Sequence, residues 1–397
     1  MDRHPSHGRH RRRRTHRRVA VAGLAALVLV AAAAVVLLWR GGALGTREAA
    51  EASGSPAAAG GGAHGEHSAD VRATAGPAPA PGASAPAGPA ASAATPVAGP
   101  AVAVGRAPHH LALAPGGAFG YIADPVAGAV LRVDAEGAQP TATIPVPQAP
   151  PQMVTFSPDG ARAYVAAFDE GYTVNAIVTL DTATDRVLSA VPVGRGPYAL
   201  STGPDGRLLY VPYFDEDHLD VLDAATGALV QRIAVRPSPH WIAFTPDGSA
   251  AYVTNHFSDV VTVLDLASHD VVTTVPVGDG PHSLEFSPDG TRVAVVDYIG
   301  GDVVLIDPAT DTVVGTVPGV GAGPQDVTWA PDGRHLYTAN VDDGTVGVVD
   351  VAAGAVTARV PAGEDPTSVT VTPDGRRLLV TNFGDGTVRV LDAAPGG

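Results

Sequence analysis

The sequence predicts an all-β fold: a seven-bladed β-propeller whose last blade is closed by an N-terminal strand, preceded by a transmembrane helix and a disordered linker. Three observations predict it. A Pro-Asp-Gly phrase begins at Pro158, Pro204, Pro246, Pro288, Pro331 and Pro373, with a degenerate first copy at Pro115-Gly116-Gly117, so it recurs every 42 to 46 residues. A period in the low forties marks a repeat architecture. Within each period lie four short runs rich in Val, Ile, Thr and Tyr, bounded by Gly, Pro and Asp, and four short strands per repeat make a propeller blade. Ahead of the repeats, an uncharged stretch from Val19 to Trp39 follows a tail rich in Arg.

Taken in order, residues 1–18 form a tail containing Arg11-Arg12-Arg13-Arg14 and His4, His7, His10 and His16. A basic run before an apolar one stays on the cytoplasmic side. Residues 19–39 are long enough to span a bilayer as a helix and longer than the apolar stretch of a cleaved signal, so they are expected to be an uncleaved anchor. Residues 40–98 are mostly Ala, Gly, Pro and Ser. They cannot bury a core and are expected to be a semi-extended, disordered linker. Residues 99–397 hold the seven repeats, which this topology places outside the cytoplasm.

Charge separates the same regions. All 25 basic residues are Arg, and ten of them lie in residues 1–47. The remainder holds 15 Arg against 39 acids, a formal charge of −24 with His neutral. Such a domain repels phosphate backbones at long range and argues against nucleic acid as a partner. The absence of Cys excludes disulfides, thiolate metal sites and a Cys nucleophile.

Blade four shows the strands most plainly: His240–Thr245, Ala250–Asn255, Val260–Asp265 and Val271–Val277. In six repeats an Asp follows the turn Gly by 17 residues and ends the third strand, as Gly248 and Asp265 do. Blade two has four extra residues within Phe168–Val178, in the loop after its second strand. The chain ends after a third strand, Thr387–Leu391, while Ala101–Gly105 reads as a fourth strand with no blade of its own. The N-terminal strand is therefore expected to complete blade seven, closing the ring without a free edge between first and last blades.

At Tyr252-Val253-Thr254-Asn255, with Tyr337-Thr338-Ala339-Asn340 and Thr381-Asn382-Phe383 as variants, the chain resembles the YVTN-type propeller repeat family, which includes YncE-like exported proteins. The resemblance covers about residues 99–397 and implies the fold. It does not imply one activity, because related propellers include lactonases, haem-binding cytochrome-type domains and streptogramin-lyase-like enzymes.

The repeats supply their own comparison for the site. Residues that every blade shares serve the blade: Pro presets φ in the turn, Asp caps it and Gly takes the positive φ. Residues that differ between blades are free to bind. Eight positions before the turn Gly, at the start of the first strand, the blades read His109, Gln152, Tyr198, His240, His282, Gln325 and Thr367. Seven positions after it they read Asp124, Ala167, Tyr213, Asn255, Asp297, Asn340 and Asn382, followed by Pro125, Phe168, Phe214, His256, Tyr298, Val341 and Phe383. These rings are expected to converge at one mouth of the central channel.

Three chemistries fit such a mouth. His240, His256 and His282, with Asp297 or Glu285, are candidate ligands for a divalent metal ion. A wet channel or a small-molecule or peptide site needs only polar and aromatic side chains. A haem would have to be noncovalent and held by His, since no Cys-x-x-Cys-His is present. Nucleophile-elbow, His-Glu-x-x-His and phosphate-loop motifs are absent. The expectation is a membrane-anchored binding scaffold for an envelope protein or a small ligand, with metal-dependent hydrolase or lyase chemistry and haem binding as alternatives.

Overall fold

The structure, a computed structural model, describes residues 90–394. The tail (1–18), the membrane span (19–39) and the linker as far as residue 89 lie outside the described residues. Among those described, no helix is long and apolar enough to cross a membrane.

Seven four-stranded antiparallel sheets follow one another around the ring, six with their strands in chain order from the channel outward and the seventh with the N-terminal strand Val97–Ala103 outermost. Blade four runs Pro239–Phe244, Ala250–Asn255, Val260–Asp265 and Val271–Pro276, within one residue of the bounds the sequence implies. The second and third strands are buried on both faces. They read as continuous apolar runs such as Val293–Asp297 and Val260–Asp265 rather than as an alternation.

There is no single core. Seven apolar clusters fill the seven interfaces between neighbouring blades. One joins Tyr252 and Val261 of blade four to Leu284 and Val295 of blade five. Another joins Leu379 and Val388 of blade seven to Leu111 and Ile122 of blade one. Tyrosines in the second strands extend these seams outward: Tyr121 Oη donates to Asp185 of blade two at 2.5 Å, and Tyr252 Oη donates to Asp311 of blade five.

The Pro-Asp-Gly turns are structural and do more than turn. Asp289 accepts from Ser287 Oγ at 2.6 Å and from Thr291 N at 3.0 Å, and Gly290 has φ of +70°. In six of the seven blades the turn Gly also packs on the turn Pro of the preceding blade, Gly290 on Pro246 and Gly117 of blade one on Pro373 of blade seven. A Cβ on Gly290 would lie 2.9 Å from Pro246 Cγ, whereas Gly333, with φ of +69°, has nothing within 4 Å. Gly290→Ala is therefore expected to cost about 2–3 kcal/mol and Gly333→Ala only the left-handed backbone cost of about 1–2 kcal/mol. Urea unfolding of the two variants checks this, and equal losses would show that the Pro contact contributes nothing.

Closure is as the sequence implies, with an addition. The strand Val97–Ala103 pairs antiparallel with Thr387–Asp392, Val102 opposite Val388, as the fourth strand of blade seven. Residues ahead of it strap onto blades six and seven from the Pro-Asp-Gly face. Ala90 N donates to the Asp374 carbonyl at 3.0 Å. Ser92 Oγ donates to Asp332 Oδ1 at 2.8 Å and lies 2.6 Å from His335 Nδ1. Thr357 Oγ1 donates to the Ala94 carbonyl at 2.9 Å. The propeller thus uses residues well before position 99.

Candidate functional site

The mouth of the channel opposite the Pro-Asp-Gly face is formed by the loops that lead into each first strand and by those joining second strands to third. Two of the three rings read from the sequence meet there. His240 and His282, from the first strands of blades four and five, have ring centroids 4.0 Å apart, and His256 lies 5.6 Å from His240 and 5.7 Å from His282. Tyr198 packs 4.0 Å from His240, 6.0 Å from His282 and 6.4 Å from His109. Phe214 stands 5.3 Å from His240, and Tyr298 stands 5.7 Å from His282. His109, which belongs across the ring in blade one, joins the cluster through Tyr198.

Blade three departs from its neighbours at Tyr198. Its first strand is laddered only at Ser201–Thr202, with one isolated bridge from Pro197 to Tyr213, and residues 198–200 leave the sheet pattern. The loss coincides with Tyr213, a large buried ring at a position where other blades carry Asp, Asn or Ala. His256 and Phe257 are set by a single 3₁₀ turn, His256–Ser258, closed by Asp259 in the left-handed conformation.

Three junctions of the first-strand ring are tied from one blade to the next. Thr367 Oγ1 donates to the His109 carbonyl at 2.5 Å. His109 Nδ1 lies 2.9 Å from the Gln152 carbonyl, and His240 Nδ1 lies 3.2 Å from the His282 carbonyl. Each bond runs to a later position of the same ring, to the next blade in every case. A carbonyl only accepts, so these Nδ1 atoms carry the proton and Nε2 keeps its lone pair. His256 is fixed likewise by the Pro281 carbonyl at 3.2 Å. For His282 the Gln325 carbonyl approaches without completing the bond, and Nδ1 is buried and unpartnered.

Burial, reinforced by neighbouring imidazoles, holds His240 and His282 well below the usual imidazole range. Burial brings His256 to about 4 against the partial offset of the Pro281 carbonyl. The rings are therefore neutral at pH 7. Such fixed Nε2 lone pairs are the state that binds metal, yet among the described residues no group of three or more His, Asp or Glu is arranged to hold an ion. Asp297 and Glu285, considered as further ligands, are engaged elsewhere: Asp297 accepts from Gly278 N at 3.0 Å and Glu285 from Trp329 N at 2.9 Å.

The remaining ring, at the end of the second strand, is turned away from the mouth. Asn255 Nδ2 donates to the Arg236 carbonyl at 2.5 Å and Asn340 Nδ2 to the Val320 carbonyl at 3.1 Å. Asn382 reaches the Ala362 carbonyl at 3.5 Å and Thr387 Oγ1 at 3.0 Å. These side chains bind the loop that arrives from the preceding blade, and they are buried. Gln152 Nε2 donates to the Phe168 carbonyl at 3.2 Å, and Gln325 is half-buried at the rim.

Sequence reasoning missed several neighbours. The four-residue insertion of blade two carries Tyr172 back onto Phe168, centroids 5.4 Å apart; the insertion was visible, its aromatic tip was not singled out. One position deeper, His110 of blade one meets Trp241 of blade four edge to face at 5.6 Å and narrows the channel. In the first strands of blades five and six, burial raises Glu285 to about 7 and Asp326 to about 6. A groove of about 720 Å³ on the opposite face is lined by Pro246, Asp247, Asp289 and Gly290, turn residues the blades repeat.

Residues 130–297 match the family model described as lactonase, seven-bladed β-propeller, and residues 325–395 match that of the cytochrome D1 haem domain. Among solved structures, a chain of Kuenenia stuttgartiensis hydrazine synthase is similar at a TM-score of 0.66 with 22% identity, over 73% of this chain and 96% of that one. No curated protein matches the chain. The lactonase model agrees with the seven-bladed propeller, the solved structure shares the fold, and none of these likenesses shows anything finer.

Proposed function

We propose that this protein is a YVTN-type, YncE-like propeller held at the cell membrane by residues 19–39, with its tail in the cytoplasm and its propeller outside, and that it binds a ligand at the channel mouth. One observation carries the binding role: the side chains that differ most between blades, Tyr198, Phe214, His240, His256, His282 and Tyr298, form one contiguous aromatic cluster. Repetition has been abandoned where a site would be. The described chain begins on the opposite face, at Ala90 against Asp374. Attachment through earlier residues therefore pulls on the face away from the mouth.

The test is a thermal-shift screen of small molecules against the full chain and Tyr198→Ala. A ligand at a hundred times its Kd stabilises by about 2.7 kcal/mol, a shift of several degrees. Shifts seen with the native chain and lost in Tyr198→Ala support the mouth as the site; shifts of equal size in both place the ligand elsewhere. Reporters fused at residues 18 and 394 test the topology: one that works only outside the cytoplasm should be active at the second alone.

A second reading has its own observation. Glu285, raised to about 7 by burial against blade six, is poised as a general acid or base, and part of the chain matches a lactonase model. Lactone hydrolysis that rises with pH through about 7 and disappears in Glu285→Gln would favour it.

A further inference from the structure

We propose that the mouth recognises an organic cation bearing N–H donors, a guanidinium or primary ammonium group, seated on the Tyr198 and Tyr298 rings; this rests on the mouth being the binding site. Four features point to that class. The floor consists of aromatic faces, which attract a cation within about 6 Å of the ring centroid. The imidazoles of His109, His240 and His256 have spent their Nδ1 protons on carbonyls and offer only acceptors at Nε2. An anion or a carbonyl ligand would find no donor in them, whereas an N–H group finds a partner. His282, only 7% exposed, extends the floor beside His240, ring centroids 4.0 Å apart.

The rim has the matching sign. The loops of this face carry exposed acids around most of the ring, among them Glu170, Asp215, Asp259, Asp279, Asp343 and Glu364, opposed in the described loops by Arg106, Arg195 and Arg236 alone. The crowding acts on Asp365, whose carboxyl is raised by burial and then by Glu364, Asp342 and Asp385. Rim and floor are continuous: Asp342 and Tyr298 flank the same glycine, Gly323. The molecule already uses the combination once. Arg195 bonds to Asp215 at 3.2 Å with its guanidinium 5.7 Å from the centre of the Tyr172 ring.

A guanidinium or ammonium group has two sources, a basic side chain of a peptide or a free amine. Isothermal titration of the full chain distinguishes them with acetyl-Gly-Arg-Gly-amide and 1,5-diaminopentane, against acetyl-Gly-norleucine-Gly-amide and acetyl-Gly-Glu-Gly-amide. At least one cationic probe is expected to bind. Tyr198→Ala is expected to weaken it tenfold or more, Tyr198→Phe to keep it within about threefold, and the rim pair Glu364→Gln with Asp365→Asn to weaken it severalfold at low salt. Unfolding midpoints of the variants verify that they are folded, and the rim pair keeps the test alive if Tyr198→Ala is not. If the neutral or acidic peptide binds as well as the cations and Tyr198→Ala abolishes it, the mouth stands as the site and the cation class is overturned. Cation binding indifferent to all three variants overturns both. Silence from every probe overturns the cation class.

Discussion

Removal of Val97–Ala103 from the full chain is expected to cut stability by roughly 4–8 kcal/mol, most of what a domain of this kind has. The effect exceeds what seven partly exposed residues suggest, because the strand belongs to the sheet of blade seven and runs straight on into blade one, tying the seam between them. Without it Thr387–Asp392 becomes an open edge, and Arg389 loses the Gly99 carbonyl it holds at 3.0 Å. Val102 and Val104 leave the cluster that joins blades seven and one, exposing Leu131, Val388 and Val390. The strap loses its direction onward from Ser92. Urea unfolding measures this, with Val97→Ala as control: Val97 is 67% exposed, and its truncation should change stability by less than about 0.5 kcal/mol. An unaltered midpoint after the deletion would refute closure by this strand.

Asp297→Asn is expected to stabilise the protein by about 1–3 kcal/mol at pH 8.5 and by close to nothing at pH 5. In blades six and seven an Asn at this place donates to a Thr hydroxyl opposite, Asn340 to Thr345 at 3.1 Å and Asn382 to Thr387 at 3.0 Å. Blade five puts Asp297 opposite Asp302 instead, with Asp297 fully buried and Oδ1 of each without a partner. Burial first, then the hydrogen bond and the charge of Asp302, raise Asp297 to about 8; Asp259 adds a little and the Gly278 N–H opposes it. The pair holds together by sharing a proton. Its sign follows from linkage. The folded state binds this proton between the ordinary carboxylate range and about pH 8, while the unfolded state has released it, so stability falls as pH rises through that window. Asn supplies the donor permanently and removes the slope. Unfolding free energies at the two pH values decide it, and a variant that keeps the native pH dependence would sink the idea. Because Gly278 leads into Pro281 and His282, the same pair braces one side of the mouth.

How much of the site was legible varies residue by residue. The first-strand ring and His256 were legible because they break a repeat that is otherwise kept, and a break in a local pattern needs no structure to be seen. Tyr213, Asn255, Asp297, Asn340 and Asn382 break it too, but with a different meaning. Their side chains point back to the loop arriving from the preceding blade, and the counting that finds them does not say which way they point. Tyr172 and Trp241 lay beyond the counted positions. The membrane span and linker rest on composition alone, outside the residues described.

What the sequence by itself determined is the propeller: blade number, strand bounds, turn chemistry and ring closure. Each rests on contacts within about forty residues, or on a period, and both are written along the chain. What only the tertiary structure decided is the use of the mouth: that His109, His240 and His256 spend their Nδ1 protons on carbonyls of the next blade, that Tyr198 reaches both sides of the ring, and that the imidazoles stand too close and too dry to be charged. Those facts depend on side-chain direction and on desolvation by neighbouring blades, neither of which is encoded by a period along the chain.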